Sequence, residues 1–366
     1  MKLKTLLDIL EKIAPLSYAE SWDNVGLIVG ESGQSVSRVM LTIDYTEAVA
    51  QEAKSQNVDA VIAYHPPIFE GLKKVTDDRT SRLVYDALRR GVALYSPHTA
   101  LDVTEGGTND VLADLLVMRD RRPLRVSAGQ PMLCKLITFV PEHAIERVST
   151  ALFNAGAGHI GRYSSCSFRM SGTGTFLGEE GTNPAVGEAG KLTVAPETRI
   201  ETILPISEVE AVVAALKKSH PYEEPAFDLS QLLAMPEGRG IGRVGAIPDG
   251  ATVEMLVNKL KRDLNINHVL LAGPTDRVVS RAAVCAGSCG NLLDEAIKAR
   301  VDLYVTGEMR HHDVLKAVQA GLSVVALLHS NSERAVLPML KEMIEAGLPN
   351  LPIFISQSDR DPFSVM

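Results

Sequence analysis

The chain has 366 residues, of which 45% are hydrophobic, and it carries a formal net charge of −8 at pH 7. This length predicts two or three domains with sizeable cores. Because of the negative charge, we do not expect the protein to bind the phosphate backbone of nucleic acids. Because only 5% of the residues are aromatic, we do not expect it to bind single strands by stacking on their bases. A small anionic substrate remains compatible with this charge, since bound metal ions supply local positive charge.

The first segment, residues 1–125, alternates helices and strands. The predicted helices cover 3–13, 45–56, 78–90 and 108–117, and the predicted strands cover 38–44, 59–65 and 92–97. Gly91 closes the third helix, and Thr108 or Asn109 caps the fourth. Asp8 and Glu11 interrupt any signal-peptide core in the first helix, and no apolar stretch is long enough to span a membrane. We therefore expect βαβ units around a largely parallel sheet in a cytoplasmic protein.

The middle of the chain has a different composition and a different order of predicted elements. Residues 119–125 are a charged connector, 171–197 are dense in Gly, Thr and Pro, and 234–248 are a Gly-rich linker. Between them we predict strands at 132–139 and 198–205, and helices at 141–155 and 207–218, the latter capped by Ser207. This β-α-β-β-α-β rhythm is typical of a ferredoxin-like α+β module.

From residue 249 the α/β alternation resumes. The predicted helices cover 252–263, 291–299, 311–319 and 332–346, and the predicted strands cover 279–285, 301–306, 323–328 and 352–356. The segments before and after this module both alternate helices and strands. We therefore predict a single α/β metal-binding domain that is split by an inserted α+β domain. The predicted borders give residues 1–128, 129–235 and 236–366.

Imidazole and carboxylate side chains follow several of the predicted strands. His65 ends one strand, Asp102 follows another, and His329 follows a third with Glu333 four residues later. Parallel strands deliver such residues to one edge of a sheet, where open α/β folds place their sites. Imidazole and carboxylate together form the ligand set of a divalent transition metal, and two or more carboxylates suit a pair of ions. Each residue alone also has an ordinary interpretation, a structural histidine for His65 and a capped helix with a surface Glu for the 329–333 pair.

Other polar groups near these strand ends are candidates for supporting roles. We predict that Glu308, His98 and His312 orient metal ligands or transfer protons. The adjacent His311 and His312 point to different faces of a helix, so one of them is expected to be solvated. The Gly-Gly-Thr-Asn loop at 106–109 either binds an anion through its backbone N–H groups or simply begins a helix.

Four cysteines are too few and too scattered for a disulfide framework. Cys285 and Cys289 have C-x3-C spacing, which we interpret as a strand-to-loop pair of buried reduced thiols. A redox or zinc-binding pair is the alternative. Reduced thiols fit a cytoplasmic protein.

The motifs together resemble the NIF-three-like family, whose members are often named GTP cyclohydrolase I type 2 homologues. The resemblance rests on residues 21–27, 64–69, 96–102, 107–110, 306–308 and 329–333, and the segments 172–176 and 220–226 resemble the PII-like module inserted in the longer members. It implies a dinuclear centre of divalent zinc, iron or manganese ions held by His65, Asp102, His329 and Glu333. It also implies hydrolytic ring opening of GTP and a ring-shaped homohexamer.

One departure from the family pattern concerns the metal ligands. Many members have two adjacent histidines where this chain has Tyr64 and His65, so one expected ligand is a phenol here, and His98 is a candidate replacement. The preferred hypothesis is a metal-dependent hydrolase of a small, nucleotide-like substrate. The alternative is a non-catalytic metal-binding scaffold or regulatory ring protein. For the inserted module, a structural or gating role competes with binding of a small ligand.

Overall fold

The computed structural model describes residues 1–79, 81–126, 133–161, 163–232 and 239–364. The chain divides into two units, which we call unit 1 (Met1–Gly129 with Pro236–Met366) and unit 2 (Gln130–Met235). The predicted borders after residues 128 and 235 lie outside the described residues, as does Met132 at the start of a predicted strand.

The first segment of unit 1 forms the strands and helices predicted for it, with shorter bounds and additional elements. In chain order they are α1 (Leu3–Ile13), β1 (Gly26–Val29), β2 (Val39–Thr42), α2 (Glu47–Ser55), β3 (Ala60–Ala63), α3 (Arg82–Arg90), β4 (Ala93–Ser96), α4 (His98–Val103), α5 (Thr108–Leu115) and β5 (Arg119–Val126). Gly91 closes α3 in a left-handed conformation, with φ of 67°, as predicted.

The described residues of unit 2 form one sheet and two longer helices. Its elements are β6 (Leu133–Val140), α6 (Ile145–Asn154), β7 (Phe168–Leu177), β8 (Leu192–Pro205), α7 (Val209–Ser219) and β9 (Phe227–Gln231). All strand pairs in the order β7-β8-β6-β9 are antiparallel. Alternate residues of β6 and β8 pack against α6 and α7 in one hydrophobic core. The predicted Ser207 cap is wrong, because α7 begins after a short 3-10 turn and Glu208 is its N-cap residue.

The last segment returns to unit 1. Its elements are β10 (Gly240–Ala246), α8 (Val253–Asp263), β11 (Leu270–Ala272), β12 (Arg281–Ser288), α9 (Leu293–Lys298), β13 (Leu303–Glu308), α10 (His311–Gln319), β14 (Ser323–Ala326), α11 (His329–Glu333), α12 (Val336–Gly347) and β15 (Ile353–Ile355). None of the described helices has the length and apolar character needed to cross a bilayer.

Two sheets with helices on both faces make unit 1 a mixed α/β fold. The first sheet has the order β1-β4-β3-β2-β15, in which only the β1–β4 pair is antiparallel. The second has the order β11-β14-β13-β12-β10-β5, with parallel pairs at its centre. The central strands are buried along their whole length, which explains why they are continuous apolar runs rather than alternating ones.

The charged connector predicted at 119–125 is wrong, and so is the linker prediction for the described part of 234–248. Both segments are strands: β5 pairs antiparallel with β10, and β10 pairs with β12. The Arg-rich residues at the start of β5 are exposed because β5 lies at the edge of the sheet. An edge strand tolerates charge on its open side, so its sequence lacks the apolar pattern of a central strand.

Arg243 of β10 forms a buried ion pair with Asp110 of α5. Its Nε and Nη2 donate to the two carboxylate oxygens at 2.8 Å each, and Nη1 donates to the carbonyls of Gly240 and Gly242. Arg243 is only 2% exposed. The pair therefore joins the two segments of unit 1, and every N–H donor of the guanidinium group has an acceptor.

The segment after β15 is anchored to the first strands of the chain. β15 pairs in parallel with β2, and the carboxylate of Asp359 accepts a hydrogen bond of 2.7 Å from the backbone N–H of Ile43. Arg334 forms an ion pair of 2.7 Å with the same carboxylate. The edge of the first sheet is thus completed by residues from the far end of the sequence.

Candidate metal centre

His65 and His329 leave two different sheets of unit 1. His65 lies two residues after β3, and its backbone N–H donates to the carbonyl of Ile43 at 3.0 Å, which continues the parallel pairing with the neighbouring strand. His329 begins α11 directly after Leu328, which has a positive φ of 72° and turns the chain out of the sheet. Both imidazoles are therefore held by the ends of regular strands, as the sequence predicts.

The two imidazoles converge on Glu333. Nε2 of His65 lies 3.4 Å from Oε2 of Glu333, and Nε2 of His329 lies 3.3 Å from Oε1. One ligand atom from each of the three residues lies within 4.8 Å of the others. Glu333 is 3% exposed, so the interpretation of this residue as a surface Glu on a capped helix is wrong. The i,i+4 spacing brings His329 and Glu333 to one point, as predicted.

A second carboxylate orients each imidazole. Nδ1 of His65 donates to Asp44 at 2.9 Å, and Nδ1 of His329 donates to Glu308 at 3.0 Å. A carboxylate that accepts from Nδ1 fixes the tautomer and leaves Nε2 as the nitrogen available to an ion. Glu308, predicted as a supporting residue, has this orienting position. Asp44 is a carboxylate at the end of the predicted strand 38–44, but it was not among the predicted site residues.

The charges around His65 favour a cation. Burial lowers the pKa of His65, but the carboxylates of Asp44 and Glu333 outweigh burial and raise the pKa to about 10. Burial raises the pKa of Asp44, yet the neighbouring His65, with smaller contributions from Arg334 and His329, brings that pKa below its ordinary value. The two shifts agree in sign: the site stabilises positive charge between two carboxylates.

Asp102 borders the same cavity and is paired with Tyr64. The buried phenol of Tyr64 donates a hydrogen bond to Oδ1 of Asp102, and burial together with this carboxylate raises the pKa of Tyr64 well above its ordinary value. Burial also raises the pKa of Asp102 to about 6, against the opposing influence of His98 and Tyr64. Tyr64 is therefore a hydrogen-bond donor that positions Asp102. The assignment of Asp102 as a metal ligand stays a prediction.

His98 also borders this cavity, at the start of α4. Its ring centroid lies 5.2 Å from that of His65. Nδ1 of His98 donates to Asp23 at 2.8 Å, and Thr99 donates to the other oxygen of Asp23 through its backbone N–H and its hydroxyl. Burial raises the pKa of Asp23, but these hydrogen bonds more than offset burial and the net pKa is lowered. Asp23 had no predicted role, although it belongs to the 21–27 motif.

His312 is an exposed residue of α10, with its ring against that of His311, and is not among the described residues that line the cavity. The structure thus does not bring His312 to the other candidates. The 106–109 loop favours the structural interpretation over anion binding. The N–H of Gly106 donates to Asp110, and a Cβ on Gly107 would lie 1.9 Å from the carbonyl oxygen of Leu101.

The side chains fit a divalent cation. Oε2 of Glu333 is buried and has no hydrogen-bond partner among the described residues, which is costly for a carboxylate oxygen unless a cation satisfies it. Two imidazole nitrogens and a carboxylate are donors that zinc, iron and manganese accept. The cavity in front of these side chains has a volume of about 410 Å³.

The residues that line this cavity are Glu20, Trp22, His65, Pro66, Phe69, His98, Thr99, Asp102, Arg125, Ile241, Cys285, Ala286, Gly287, Ser288, Cys289, Asn291, His329 and Glu333.

Unit 2 has a separate cavity of about 620 Å³ on the face of its sheet that bears Glu197 and Arg199. The 220–226 segment forms one wall. His220 holds this segment in place: Nε2 donates to the carbonyl of Phe139, and Nδ1 accepts from the N–H of Tyr222. The His-Pro-Tyr motif thus has a structural role here, and ligand binding in this cavity stays a prediction.

The whole chain has known relatives. A sequence profile described as Duf34/NIF3 (NGG1p interacting factor 3) matches residues 1–362. A protein of Bacillus subtilis (strain 168) named GTP cyclohydrolase 1 type 2 homolog is 37% identical over 365 residues, which is 99% of this chain and 98% of that protein. A protein of Mycobacterium tuberculosis (strain ATCC 25618 / H37Rv) with the same name is 33% identical over 370 residues, with 100% and 97% of the two chains covered.

Solved structures agree with this relationship. The crystal structure of a Bacillus cereus protein related to NIF3 has a TM-score of 0.73 and 33% identity, and the alignment covers 100% of this chain and 99% of that one. The Staphylococcus aureus protein SA1388 has a TM-score of 0.84 and 25% identity with the same coverage. The resemblance seen in the sequence motifs is confirmed: this chain belongs to the Duf34/NIF3 family.

Proposed function

We propose that this protein is a divalent-metal-dependent hydrolase of a small, nucleotide-like substrate. The observation that carries the proposal is the convergence of His65, His329 and Glu333 within 4.8 Å. A metal ion bound there activates water as a nucleophile and polarises the bond under attack. The name of the relatives, GTP cyclohydrolase 1 type 2 homolog, supports a hydrolytic reaction on a purine nucleotide as the first reaction to test.

The residues around the three ligands have distinct tasks. Asp44 and Glu308 hold the imidazoles with Nε2 directed at Glu333. Asp102, positioned by Tyr64, supplies the carboxylate that a second ion needs. His98 has Nδ1 engaged by Asp23, so its Nε2 is the ring nitrogen that exchanges a proton with substrate. His65, His329 and Glu333 would hold one ion, and Asp102 would provide a carboxylate for a second.

The rim of the cavity supports a nucleotide-like substrate. Trp22 and Phe69 are more than half exposed, and their ring centroids lie 5.9 Å apart at the entrance. Exposed aromatic rings beside a cavity offer a stacking surface for a planar base. Arg125 lines the same cavity, where it forms a long ion pair of 3.9 Å with Glu20, and its guanidinium group is suited to bind phosphate.

The proposal is tested by metal content and turnover together. Purified protein is loaded with Zn²⁺, Mn²⁺ or Fe²⁺, freed of excess metal, and assayed by elemental analysis and by chromatography of GTP, other nucleotides and phosphoesters. We expect bound metal and product in wild type, and loss of both in Glu333→Gln. Glu342→Gln, an exposed residue of α12, is the matched control and should retain both.

Two results would count against the proposal. Equal metal content in wild type and Glu333→Gln would remove the proposed centre. Bound metal without product from any substrate would favour a metal-binding scaffold instead. Assembly into a homohexameric ring is a separate proposal from the family resemblance, and sedimentation equilibrium of the metal-loaded protein tests it.

A further inference from the structure

Cys285 and Cys289 are joined by a disulfide bond, and the prediction of two reduced thiols is therefore wrong for this pair. Cys285 lies in β12 and is buried, whereas Cys289 follows the strand and is half-buried. Both line the cavity of the candidate metal centre. The remaining cysteines, Cys134 and Cys166, are free and belong to unit 2.

The residues enclosed by this disulfide form the wall behind Glu333. Gly287 has a φ of 71°, and a Cβ added to it would lie 2.7 Å from Oε1 of Glu333 and 3.5 Å from Nε2 of His329. The backbone of residue 287 is therefore packed directly against two of the proposed metal ligands. Only a residue without a side chain fits between the strand and these ligands.

Hydrogen bonds fix the same wall to the elements that support the centre. The N–H of Ala286 donates to Oδ1 of Asn109, and the N–H of Gly287 donates to Oγ of Ser332, both at 2.9 Å. The hydroxyl of Thr306 donates to the carbonyl of Gly287 at 3.2 Å. Ser332 directly precedes Glu333 in α11, so a displacement of the wall is transmitted to the carboxylate that both imidazoles face.

We propose that Cys285 and Cys289 form a reversible thiol–disulfide pair that takes low-molecular-weight disulfides and thiols as its redox partners and that sets the metal affinity of the adjacent centre. The second half of the proposal depends on the proposed function, because it needs a metal bound by His65, His329 and Glu333. The first half, the reversible exchange between dithiol and disulfide at Cys285 and Cys289, does not depend on a bound metal.

The exchange balances with one small disulfide as oxidant. The thiolate of Cys289, the more accessible of the two, attacks one sulfur of the small disulfide, forms a mixed disulfide and releases one small thiol. The thiolate of Cys285 then attacks the sulfur of Cys289 and releases the second small thiol. The protein loses two electrons and two protons, and the two released thiols carry them. A small dithiol reverses both steps.

Reduction should weaken metal binding. The disulfide closes a loop with a sequence separation of four, and this constraint keeps the backbone of Gly287 against Glu333. Without it the wall has more conformational freedom, and Glu333 loses part of the packing that holds it toward the imidazoles. Disturbing the groups that position metal ligands typically costs about tenfold in affinity at the lower end of the observed range.

Two measurements that need no metal test the pair itself. Full-length protein is equilibrated in glutathione buffers of graded ratio, alkylated and analysed by mass spectrometry. We expect two alkylated cysteines under oxidising conditions, four under reducing conditions and full return on reoxidation. Hydrogen exchange of the peptide covering 282–292 should be slower in the oxidised protein. A pair that stays reduced, or stays oxidised, across the series would overturn the proposal, and so would equal exchange in both states.

Mn²⁺ affinity, measured by the electron paramagnetic resonance signal of the free ion, tests the coupling. Manganese prefers imidazole and carboxylate to thiolate, so it reports on the wall rather than on sulfur ligation. We expect roughly tenfold weaker Mn²⁺ binding after reduction and removal of the reductant. Cys289→Ser should behave as the reduced protein in either buffer, and Cys166→Ser, in unit 2, should keep the full redox response.

Equal Mn²⁺ affinity in the two states would overturn the coupling. Tighter Zn²⁺ binding on reduction with unchanged Mn²⁺ binding would do the same, since the thiolates would then act as ligands. Absence of Mn²⁺ binding in both states would instead contradict the proposed metal centre, while the thiol and exchange measurements would still decide the redox pair.

Discussion

The hydroxyl of Tyr64 donates a hydrogen bond to Oδ1 of Asp102 from a fully buried position. The phenol is the last residue before His65, so one dipeptide both supplies an imidazole and positions a carboxylate. Because burial and Asp102 keep the pKa of Tyr64 well above its ordinary value, the phenol stays protonated at neutral pH and acts as a donor. This pairing gives a chemical role to Tyr64, where the family resemblance led us to expect a histidine.

Tyr64→Phe removes this donor while keeping the ring that fills the core. We expect metal affinity to fall about tenfold, because Asp102 loses the group that orients it. Competition with a chromophoric chelator measures the affinity. Tyr45→Phe, another buried phenol of unit 1 that does not line the cavity, is the control and should bind metal as wild type does. An unchanged affinity in Tyr64→Phe would show that Asp102 does not depend on the phenol.

Gly287→Ala should disrupt the centre. The new Cβ would lie 2.7 Å from Oε1 of Glu333, and the residue would also have to keep a φ of 71°. We expect loss of measurable metal binding by calorimetry. Gly321→Ala separates the two effects, because Gly321 has a similar φ of 87° but open space around its Cβ position. That variant should lose about 1 kcal/mol of stability, because an L residue is strained at positive φ, and it should keep its metal affinity. Equal metal binding by both variants would contradict the packing of residue 287 on Glu333.

The buried pair of Arg243 and Asp110 should be the most sensitive ion pair for stability. Asp110→Ala leaves the guanidinium group buried without its carboxylate, and we expect a loss of about 3–5 kcal/mol in the free energy of unfolding by urea titration. Arg262→Met, an exposed cation on α8, should change it by less than about 0.5 kcal/mol. A loss below about 1 kcal/mol in Asp110→Ala would mean that water reaches the pair.

Asp23 should make stability depend on pH in the acid range. Its pKa is lowered in the folded protein, so the unfolded chain binds the proton more readily, and stability falls as pH drops through the ordinary pKa of about 3.9. We expect Asp23→Asn to cost roughly 1–3 kcal/mol at pH 7. The difference from wild type should stay constant above about pH 5 and shrink toward pH 3. A difference that does not change with pH would assign the cost to packing rather than to the carboxylate.

The sequence predicted the central strands well because burial on both faces leaves a continuous apolar run. β3 and β14 are four-residue segments buried throughout, and His65 and His329 were recognised because each follows such a run. The predicted helix at 311–319 has the bounds of α10. Local signals failed where a strand lies at a sheet edge, as β5 does, since most of its residues are exposed to solvent.

The sequence indicated Glu308 as the partner of a metal ligand, but it did not indicate the carboxylates that orient His65 and His98. Asp44 orients His65 across 21 residues, and Asp23 orients His98 across 75 residues. No spacing rule selects one carboxylate among the 45 acidic residues of the chain for such a contact. Asn109 illustrates the same point. The prediction that Thr108 or Asn109 caps α5 is wrong, because Gly107 is the N-cap residue. The side chain of Asn109 instead accepts a hydrogen bond from the backbone N–H of Ala286, on a strand 177 residues away.

The anchoring of Ile43 by Asp359 spans 316 residues of sequence. A ribosome therefore exposes β2 long before the residues that cover its open edge leave the exit tunnel. During that interval the nascent chain carries an unpaired strand edge that is able to recruit foreign strands. The order of synthesis thus leaves this edge of β2 open until β15 pairs with it.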